Sequence, residues 1–472
     1  MPSKRLYIHT IGCQMNVYDS EHMAMNLATL GYTPAVSSED ADLIIVNTCS
    51  VRDKAEQKAF SILGRLEGLK RRRPGLIVGV AGCVAQQEGE RIFTRAPHVD
   101  IVIGTRAVER LPAHVLKVAA ERCRVVDLEL TSGLESPDEA LPAAGGPGVS
   151  RFVTIMRGCD NFCSYCVVPH VRGREVSRPP ESIVREITAL VAAGKREVTL
   201  LGQNVNSYGT KEGLCSFPEL LARVSAVDGL LRIRFTTSHP KDLTRDLMES
   251  FARIEKLCPH IHLPVQSGSN RLLERMNRKY TREHYLDNVF KLRDTCPEIA
   301  ITSDMIVGFP GETDADFEET LDLVRNVEFD GLFAFMYSDR PHAPAARLSE
   351  KVPAHLKRER LHALLQLQET FTYKKNAALV GSVQEILAEG ASRKQAAGSA
   401  AERSAVQWTG RTPGNKIVNF HVGGGSANFA TASAGTLMRV RIEKALAHSL
   451  RGAPETTGPA AGGLKGDACH AA

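Results

Sequence analysis

The sequence lacks any run of eighteen apolar residues, and its opening residues do not form the apolar segment of a secretory signal. A helix that crosses a bilayer needs about 20 consecutive apolar residues, so we expect no membrane span. Without a secretory signal, we expect a cytoplasmic protein. The 11 cysteines are an odd number, and in a reducing compartment such cysteines usually bind metals or act in catalysis rather than form disulfides.

The sequence also has little net charge and no internal repeat of the kind found in solenoid proteins. Lysine and arginine total 59 and aspartate and glutamate total 54, which leaves a formal charge of +5. So small an excess does not establish a nucleic-acid partner, because the distribution of basic residues matters more than their sum. The length of 472 residues predicts two or three domains.

The most specific motif is a set of three cysteines, the central triad, which consists of Cys159, Cys163 and Cys166. Ordinary iron–sulfur clusters take four cysteines and structural zinc sites take four Cys or His ligands, so this set leaves one position open. Soft thiolates favour an iron–sulfur cluster. A zinc site completed by the nearby His170 is the alternative interpretation.

The segment 1–125 alternates short apolar strands with helical stretches, which predicts an open parallel α/β sheet. We predict strands at 6–10, 43–46, 76–80 and 101–103. Cys13, Cys49 and Cys83, the N-terminal triad, follow the first three strands at equal offsets. Ligands bind beyond the carboxyl ends of parallel strands, so we interpret these cysteines as a second iron–sulfur site with one open position. Three unrelated buried cysteines are the alternative.

A linker at 126–148, rich in proline and glycine near its end, precedes a second predicted domain at 149–380. Six β/α units predict a partial (β/α)6 barrel there, with its active site at the carboxyl ends of the strands. The predicted strands are 152–156, 197–201, 231–236, 260–264, 300–307 and 331–336. Gln203 and Gln266 follow two of these strands.

Short β-rich segments with glycine turns predict a third domain, a small β-barrel at 381–447, and the tail at 448–472 is predicted to be disordered. Basic residues with interleaved aromatics, here Trp408 and Phe420, suit contact with phosphates and unpaired bases. A solvated charged surface is the alternative. The basic residues are Arg393, Lys394, Arg403, Arg411, Lys416, Arg439, Arg441 and Lys444.

The spacing within the central triad, with Tyr165 before its last cysteine, resembles the radical S-adenosylmethionine (SAM) enzymes. Across the chain, further motifs resemble the methylthiotransferase family of these enzymes. They lie at residues 12–21, 47–52, 82–83, 157–169, 172–175, 202–208, 262–269, 304–313 and 410–415.

The resemblance implies an N-terminal methylthiotransferase domain, a radical SAM domain and a C-terminal TRAM domain that binds RNA. It implies two [4Fe–4S] clusters, a SAM-cleaving one on the central triad and an auxiliary one, which carries the sulfur, on the N-terminal triad. Gln203 and Gln266 are the candidate contacts to SAM.

The reaction implied is methylthiolation of N6-isopentenyladenosine next to the anticodon of a tRNA. We expect a flavodoxin-like or ferredoxin-like electron donor, a separate sulfur donor, and a monomer. Two alternatives stay open. A methylthiotransferase could act on threonylcarbamoyladenosine in tRNA or on a ribosomal-protein aspartate, and a non-catalytic iron–sulfur or zinc protein could bind RNA.

Overall fold

The structure, a computed structural model, describes residues 4–50, 53–130, 148–392, 406–422 and 433–455. The chain divides into two compact units, Met1–Phe371 and Thr372–Ala472. In the part of the chain that is described, no helix is long and apolar enough to cross a membrane.

The N-terminal half of the first unit is an open sheet of six strands, all parallel, in the order β2-β1-β3-β4-β5-β6. The predicted open parallel sheet is therefore confirmed. Its elements are β1 (Lys4–Thr10), α1 (Gln14–Ala28), β2 (Tyr32–Pro34), β3 (Leu43–Thr48), α2 (Asp53–Arg72), β4 (Ile77–Gly82), α3 (Cys83–Glu88), α4 (Arg91–Arg95), β5 (Ile101–Ile103), α5 (Leu111–Glu121) and β6 (Val125–Asp127).

Two short edge strands, β2 and β6, were not expected from the sequence. Each has only three residues, and in both only the first residue is buried. An edge strand with so little buried surface carries no clear apolar run. The sheet also extends to Asp127, two residues into the predicted linker.

Helices cover both faces of this sheet, which is why β3 and β4 consist entirely of buried residues. Helices α1 and α5 pack on one face, and α2, α3 and α4 pack on the other. The chain passes from β1 outward to β2 and then returns to β3 on the other side of β1. The gap between β1 and β3 is thus the topological switch point, where sheets of this kind bind their ligands.

The rest of the first unit has six parallel strands in two sheets, β7-β10-β11 and β12-β13-β14, around one large core. The predicted partial (β/α)6 barrel is confirmed. The elements are β7 (Ser150–Thr154), β8 (Met156–Arg157), α6 (Val168–Val171), β9 (Val176–Ser177), α7 (Pro180–Ala192), β10 (Glu197–Leu201), α8 (Phe217–Ser225), β11 (Arg232–Phe235), α9 (Arg245–Arg253), β12 (His260–His262), α10 (Asn270–Arg275), α11 (Arg282–Thr295), β13 (Ala300–Val307), α12 (Asp314–Val327), β14 (Gly331–Met336) and α13 (Ala354–Ala377).

The first barrel strand lies two residues earlier than the run at 152–156 predicts. Strand β7 ends at Thr154, and the next two residues of that run belong to a turn and to β8. Strand β8 leaves the barrel and pairs with β9 in a separate antiparallel ribbon. This ribbon leads the chain directly into the loop of the central triad.

The second unit contains a closed five-stranded barrel in the order β15-β16-β17-β19-β18, as predicted. The strands are β15 (Val383–Ala391), β16 (Val406–Arg411), β17 (Ile417–Val422), β18 (Leu437–Ala445) and β19 (Leu450–Pro454). The prediction of disorder from 448 is wrong for β19, whose Leu450 is fully buried. This strand pairs with both β17 and β18, so it closes a barrel that would otherwise have two open edges.

The expectation that Phe420 stacks on bases is wrong, because Phe420 is fully buried in the barrel core. Trp408 is half-buried and packs against the same core. Arg393, Lys394 and Arg403 lie outside the described residues, as do 131–147 of the predicted linker.

Candidate active site

Two buried asparagines join the ends of β1 and β3 at the switch point. Asn16 donates through Nδ2 to Asn47 Oδ1 at 3.0 Å and to the Thr48 carbonyl at 3.0 Å. In return, Asn47 Nδ2 donates to the Asn16 carbonyl at 2.8 Å. Both side chains are fully buried, so loss of any of these hydrogen bonds would leave a buried polar group without a partner and lower the free energy of unfolding. The pair holds the start of α1, and with it Cys13, against the segment that carries Cys49.

Cys13 itself caps α1. Its backbone N–H donates to Asn16 Oδ1 at 3.4 Å, and its Sγ lies 3.4 Å from the same oxygen. Glycine is required on both sides of the site. A Cβ on Gly12, at φ +148°, would lie 2.5 Å from Cys49 Cβ, and one on Gly82, at φ +90°, would lie 2.4 Å from the Thr48 carbonyl. The three cysteines thus follow the ends of three neighbouring strands, but the predicted equal offsets are wrong: Cys13 lies three residues beyond Thr10, whereas Cys49 and Cys83 directly follow Thr48 and Gly82.

The three N-terminal cysteines differ in exposure and acidity. Cys13 is exposed, whereas Cys49 and Cys83 are buried. The neighbouring Cys49 thiol lowers the pKa of Cys13 to about 6, and the charge of Arg172 adds to that lowering. Burial raises the pKa of Cys83, although the charge of Arg172 opposes this.

Arg172 reaches this site from the other half of the unit. It follows α6 in the segment after the central triad, and its Nη2 donates to Asp19 Oδ2 of α1 at 3.0 Å. Both side chains are buried, with 4% and 2% exposure. Arg157, from β8, approaches the other Asp19 oxygen at 4.0 Å. The segments that carry the two cysteine triads are thus joined by buried ionic contacts of Arg172 and Arg157 with Asp19.

The central triad lies on a loop that the segment after α10 supports. Ser164 donates through its N–H to the Met276 carbonyl at 2.9 Å and through its hydroxyl to the Arg275 carbonyl at 2.8 Å. Asn277 Nδ2 donates to the Phe162 carbonyl at 2.9 Å. Phe162 has φ +47° and is exposed, so this loop holds a non-glycine residue in the left-handed region.

Buried Arg278 contacts the central triad directly. Its Nη1 donates to Cys163 Sγ at 3.4 Å and to the Tyr165 hydroxyl at 3.3 Å, while Nη2 donates to the Pro264 carbonyl at 2.6 Å. Its Nε donates to the Tyr280 hydroxyl at 2.9 Å. All three nitrogens of this guanidinium are therefore occupied.

Two thiols of the central triad, those of Cys159 and Cys166, are held neutral unless a positive group is bound. Burial raises the pKa of Cys159 to about 11 and that of Cys166 to about 12. A metal ion that coordinates a thiol deprotonates it outright. Burial of soft sulfur ligands therefore fits a metal cluster, which supplies the missing positive charge.

A polar cavity of about 320 Å³ adjoins the central triad. Carboxylates, amides, hydroxyls and lysines line it, among them Asp160, Glu175, Asn204, Lys211 and Asp242. Burial raises the pKa of Glu175 to about 7. The buried Oδ1 of Asn204 has no hydrogen-bond partner among the described residues. Such a lining suits a small ligand with hydroxyl, amino and carboxylate groups. A larger cavity, of about 660 Å³, lies between α8 and α9, and neither triad contributes to its lining.

The two glutamines proposed from the sequence occupy different positions. Gln203 accepts the Gly158 N–H at 2.5 Å through Oε1, and so supports the residue before Cys159. Gln266 is buried with φ +75°, and its backbone bridges to β13 through Asp304 and Ile306. Contact of either side chain with SAM stays a prediction.

Among the described residues, no three His, Cys, Asp or Glu side chains are grouped closely enough to hold a single metal ion. This applies to the zinc site with His170 as well as to both triads. His170 is exposed, and its ring lies 5.8 Å from that of His342. The fit of the triads to a cluster therefore rests on their convergence and on the chemistry of their ligands.

Several site residues were given no role from the sequence. Three of them, Asn16, Asn47 and Arg172, lie inside motifs that carry the family resemblance. Those motifs are the sequence feature that could have pointed to these residues. Asp19 lies in the first of these motifs as well. Arg278 lies outside them, and nothing in its neighbours shows that its charge is buried against a cysteine.

The comparisons with known proteins agree with this architecture. A model described as Uncharacterized protein family UPF0004 matches residues 5–104, and the radical SAM superfamily matches residues 153–324. The radical SAM methyltransferase TsrM from Kitasatospora setae shares the fold at a TM-score of 0.54 and 15% identity, over 73% of this chain and 77% of that one.

Two relatives named tRNA-2-methylthio-N(6)-dimethylallyladenosine synthase match almost the whole chain. The protein from Desulfosudis oleivorans is 54% identical over 98% of this chain and 99% of its own. The protein from Geobacter metallireducens is 50% identical over 95% of this chain and 98% of its own.

The fold, the central triad and the superfamily match define a radical SAM protein, a class that uses SAM and a [4Fe–4S] cluster. Within that class, this chain belongs to the family of the tRNA-2-methylthio-N(6)-dimethylallyladenosine synthases.

Proposed function

We propose that the protein converts N6-isopentenyladenosine next to the anticodon of a tRNA into 2-methylthio-N6-isopentenyladenosine. The observation that carries this proposal is the pair of three-cysteine sites, each with one open position, joined by the buried contact between Arg172 and Asp19. One site alone would suit many radical SAM reactions. Two linked sites suit a reaction that needs both a radical and a sulfur atom.

The central triad would hold the SAM-cleaving [4Fe–4S] cluster, and the N-terminal triad would hold the auxiliary one. When bound, SAM and its cluster would supply the radical chemistry needed at carbon 2 of the base, and the auxiliary cluster would supply the sulfur. Arg278 donates a hydrogen bond to Cys163 and would orient the sulfur of that ligand toward the cluster.

The polar cavity beside Cys159 would bind SAM. Asp160 is oriented by Arg174, whose Nε donates to it at 2.6 Å, and by Lys211 at 3.2 Å. Its carboxylate and that of Asp242 suit the ribose hydroxyls and the amino group of SAM. Glu175 would accept a hydrogen bond from the same ligand when ionised. Gln203 and Gln266 do not line this cavity and stay in the proposal as two separate contacts to SAM.

The five-stranded barrel would bind the tRNA as a TRAM domain. Arg439, Arg441 and Lys444 are exposed on β18. Glu455 pairs with the two arginines at 3.2 Å and 2.6 Å, so it competes with phosphate for them. Because such contacts neutralise phosphates, we expect the affinity for tRNA to fall steeply with salt.

The remaining partners follow from the chemistry. A one-electron donor of the flavodoxin or ferredoxin kind would reduce the cluster, and a separate sulfur donor would replace the sulfur that each product removes. We propose a cytoplasmic monomer.

Mass spectrometry of tRNA nucleosides tests reaction and substrate together. A strain without this protein should lose 2-methylthio-N6-isopentenyladenosine and accumulate N6-isopentenyladenosine. Loss of the methylthio-threonylcarbamoyl nucleoside, or of the methylthio-aspartate of a ribosomal protein, with the isopentenyl product unchanged would instead identify one of the sister reactions.

Anaerobic reconstitution tests the number of clusters. Two [4Fe–4S] clusters require about eight iron atoms per chain. About four iron atoms, or zinc in place of iron, would contradict the auxiliary cluster. Iron binding without SAM cleavage after reduction would support the non-catalytic alternative.

A further inference from the structure

The guanidinium of Arg172 differs from that of Arg278 in having one unused donor. Its Nη2 is held by Asp19 at 3.0 Å, whereas its Nη1 is buried and has no hydrogen-bond partner among the described residues. A buried arginine nitrogen without an acceptor costs free energy, so its presence indicates an acceptor that binds there. Cys83 and Val171, the residue before Arg172, belong to one buried cluster, so the N-terminal triad adjoins this arginine.

The backbone around Arg172 is held in place by the N-terminal half of the unit. Thr105 Oγ1 donates to the Val171 carbonyl at 2.6 Å. Arg106 donates through Nε to the Arg172 carbonyl at 3.2 Å and through Nη2 to the Arg174 carbonyl at 2.9 Å. The loop after β5 therefore fixes the backbone on both sides of the residue, and Asp19 fixes the end of its side chain. An arginine constrained at both ends is preorganised for one acceptor position.

The acceptor that suits this position is an anion. Arginine cannot accept a hydrogen bond and does not lose its charge, so it favours a negatively charged partner. Asp19 already balances one charge through Nη2, and its other oxygen faces Arg157. The groups that remain beside the guanidinium are the cysteines of the N-terminal triad and whatever occupies the open position that three cysteines leave.

We propose that Arg172 is a positioning residue whose Nη1 donates a hydrogen bond to an anionic sulfur ligand, a hydrosulfide or an alkanethiolate, at the open position of the N-terminal triad. This inference rests on the proposed function, because it requires the auxiliary cluster. The residue that orients the sulfur would then belong to the radical SAM half of the unit, whereas the N-terminal half would hold the sulfur. Sulfur would then be bound in its reactive position only when the two halves are correctly packed.

The test isolates the auxiliary site in the full-length chain. Cys159, Cys163 and Cys166 are replaced together by alanine, so that only the N-terminal triad binds a cluster. Methanethiolate and hydrosulfide are titrated separately into the anaerobically reconstituted protein, and binding is followed through the electron paramagnetic resonance spectrum of the reduced cluster. Imidazole serves as a neutral ligand for the same open position.

In this background, Arg172→Met should weaken the binding of both sulfur anions by roughly 10- to 100-fold, as the loss of a hydrogen bond to a charged group predicts. Imidazole binding should change by less than about threefold, because a neutral ligand does not depend on the charge. Arg172→Lys should restore part of the affinity, since lysine keeps the charge but not the planar fork. The control Arg223→Met, which removes an exposed arginine paired with Glu181 far from either triad in sequence, should leave all three affinities unchanged.

Equal affinity of the sulfur anions for wild-type and Arg172→Met proteins would overturn the proposal. So would an equal loss for imidazole, because that result would mean that the arginine only maintains the shape of the site. If the Arg172→Met protein fails to load iron, the Arg172→Lys protein is compared with wild type instead. An unchanged affinity for the sulfur anions in Arg172→Lys would contradict the proposal. A partial loss of affinity for the anions, with imidazole binding unchanged, would support it. Failure of the intact N-terminal triad to load a cluster would instead refute the proposed function.

Discussion

The central triad lies within residues 159–166 on one loop, whereas the N-terminal triad takes its cysteines from the ends of three parallel strands at positions 13, 49 and 83. The first site can form once one loop is supported by the segment after α10. The second site forms only when β1, β3 and β4 are in register. Local spacing therefore identifies one site, and sheet topology creates the other.

The two sites also differ in their charges. Arg278 is saturated by four acceptors, one of which is Cys163. Arg172 has one fixed and one unused nitrogen beside the N-terminal triad. Contact with Cys49 lowers the pKa of Cys13 to about 6, while burial raises that of Cys166 to about 12. The N-terminal site thus has a thiol of lowered pKa and an arginine with an unused donor, whereas burial keeps Cys166 of the central site protonated until a metal binds.

The largest effect should come from the cysteines. Cys163→Ala should abolish SAM cleavage and therefore all product. Cys49→Ala should keep SAM cleavage but form no methylthio nucleoside, because only the sulfur-bearing site is lost. Chromatography of 5′-deoxyadenosine and mass spectrometry of the nucleoside measure the two steps separately. Cys296→Ala, outside both triads, is the matched control and should retain both. The same loss of cleavage in both triad variants would contradict the separation of roles.

Removal of the ionic contact between the sites should be the next largest effect. Asp19→Ala leaves Arg172 buried without its partner, which typically costs about 3–5 kcal/mol. We expect a corresponding fall in the free energy of unfolding of the metal-free protein, measured by urea denaturation. Glu181→Ala, which removes an exposed partner of Arg223, should cost less than about 1 kcal/mol. If Asp19→Ala lowers the free energy of unfolding by as little as Glu181→Ala does, the contact between Asp19 and Arg172 does not hold the two halves together.

The cavity beside the central triad should make stability depend on pH. Burial raises the pKa of Glu175 from 4.5 in the unfolded chain to about 7. The folded state then binds the additional proton, so the contribution of Glu175 to stability is fully present below pH 4.5 and is lost as pH rises through 7, by about 1–3 kcal/mol after allowance for solvent screening.

Urea denaturation at several pH values should show this decline for the wild-type protein, and Glu175→Gln should reduce it. Glu219 is the comparison residue, because it is exposed and its pKa is lowered by hydrogen bonds at the start of α8. Glu219→Gln should leave the decline between pH 4.5 and 7 in place. An identical pH profile for wild type and Glu175→Gln would assign the dependence to other groups.

The smallest effect concerns the close approach of the strand ends. Gly82→Ala places a Cβ 2.4 Å from the Thr48 carbonyl at a φ of +90°, so we expect a cost of about 1–3 kcal/mol. Iron bound at the N-terminal triad should fall while the central triad keeps its own. Gly75→Ala, with nothing within 4 Å of its Cβ, should change neither stability nor iron content. Equal iron loss from both triads in Gly82→Ala would show that the sites do not form independently.

Much of this architecture was predictable from patterns in the sequence. Runs such as 43–46 and 300–307 predict strands, and cysteines that follow three parallel strands predict the N-terminal triad, although their offsets from the observed strand ends are not equal. Strands β2 and β6 were missed because each has three residues and little buried surface. Strand β19 was missed because its apolar content is low, and Phe420 was misjudged because alternation in a closed barrel turns it inward.

By itself, the sequence determined the class of chemistry, because three closely spaced thiols with an open position are a property of local spacing. It also determined the parallel sheet, through alternating apolar and helical segments. Only the tertiary structure decided that Arg172 of one half pairs with Asp19 of the other, and that Arg278 contacts Cys163. Buried charges are placed by long-range packing, because each needs a partner that sequence neighbours do not supply.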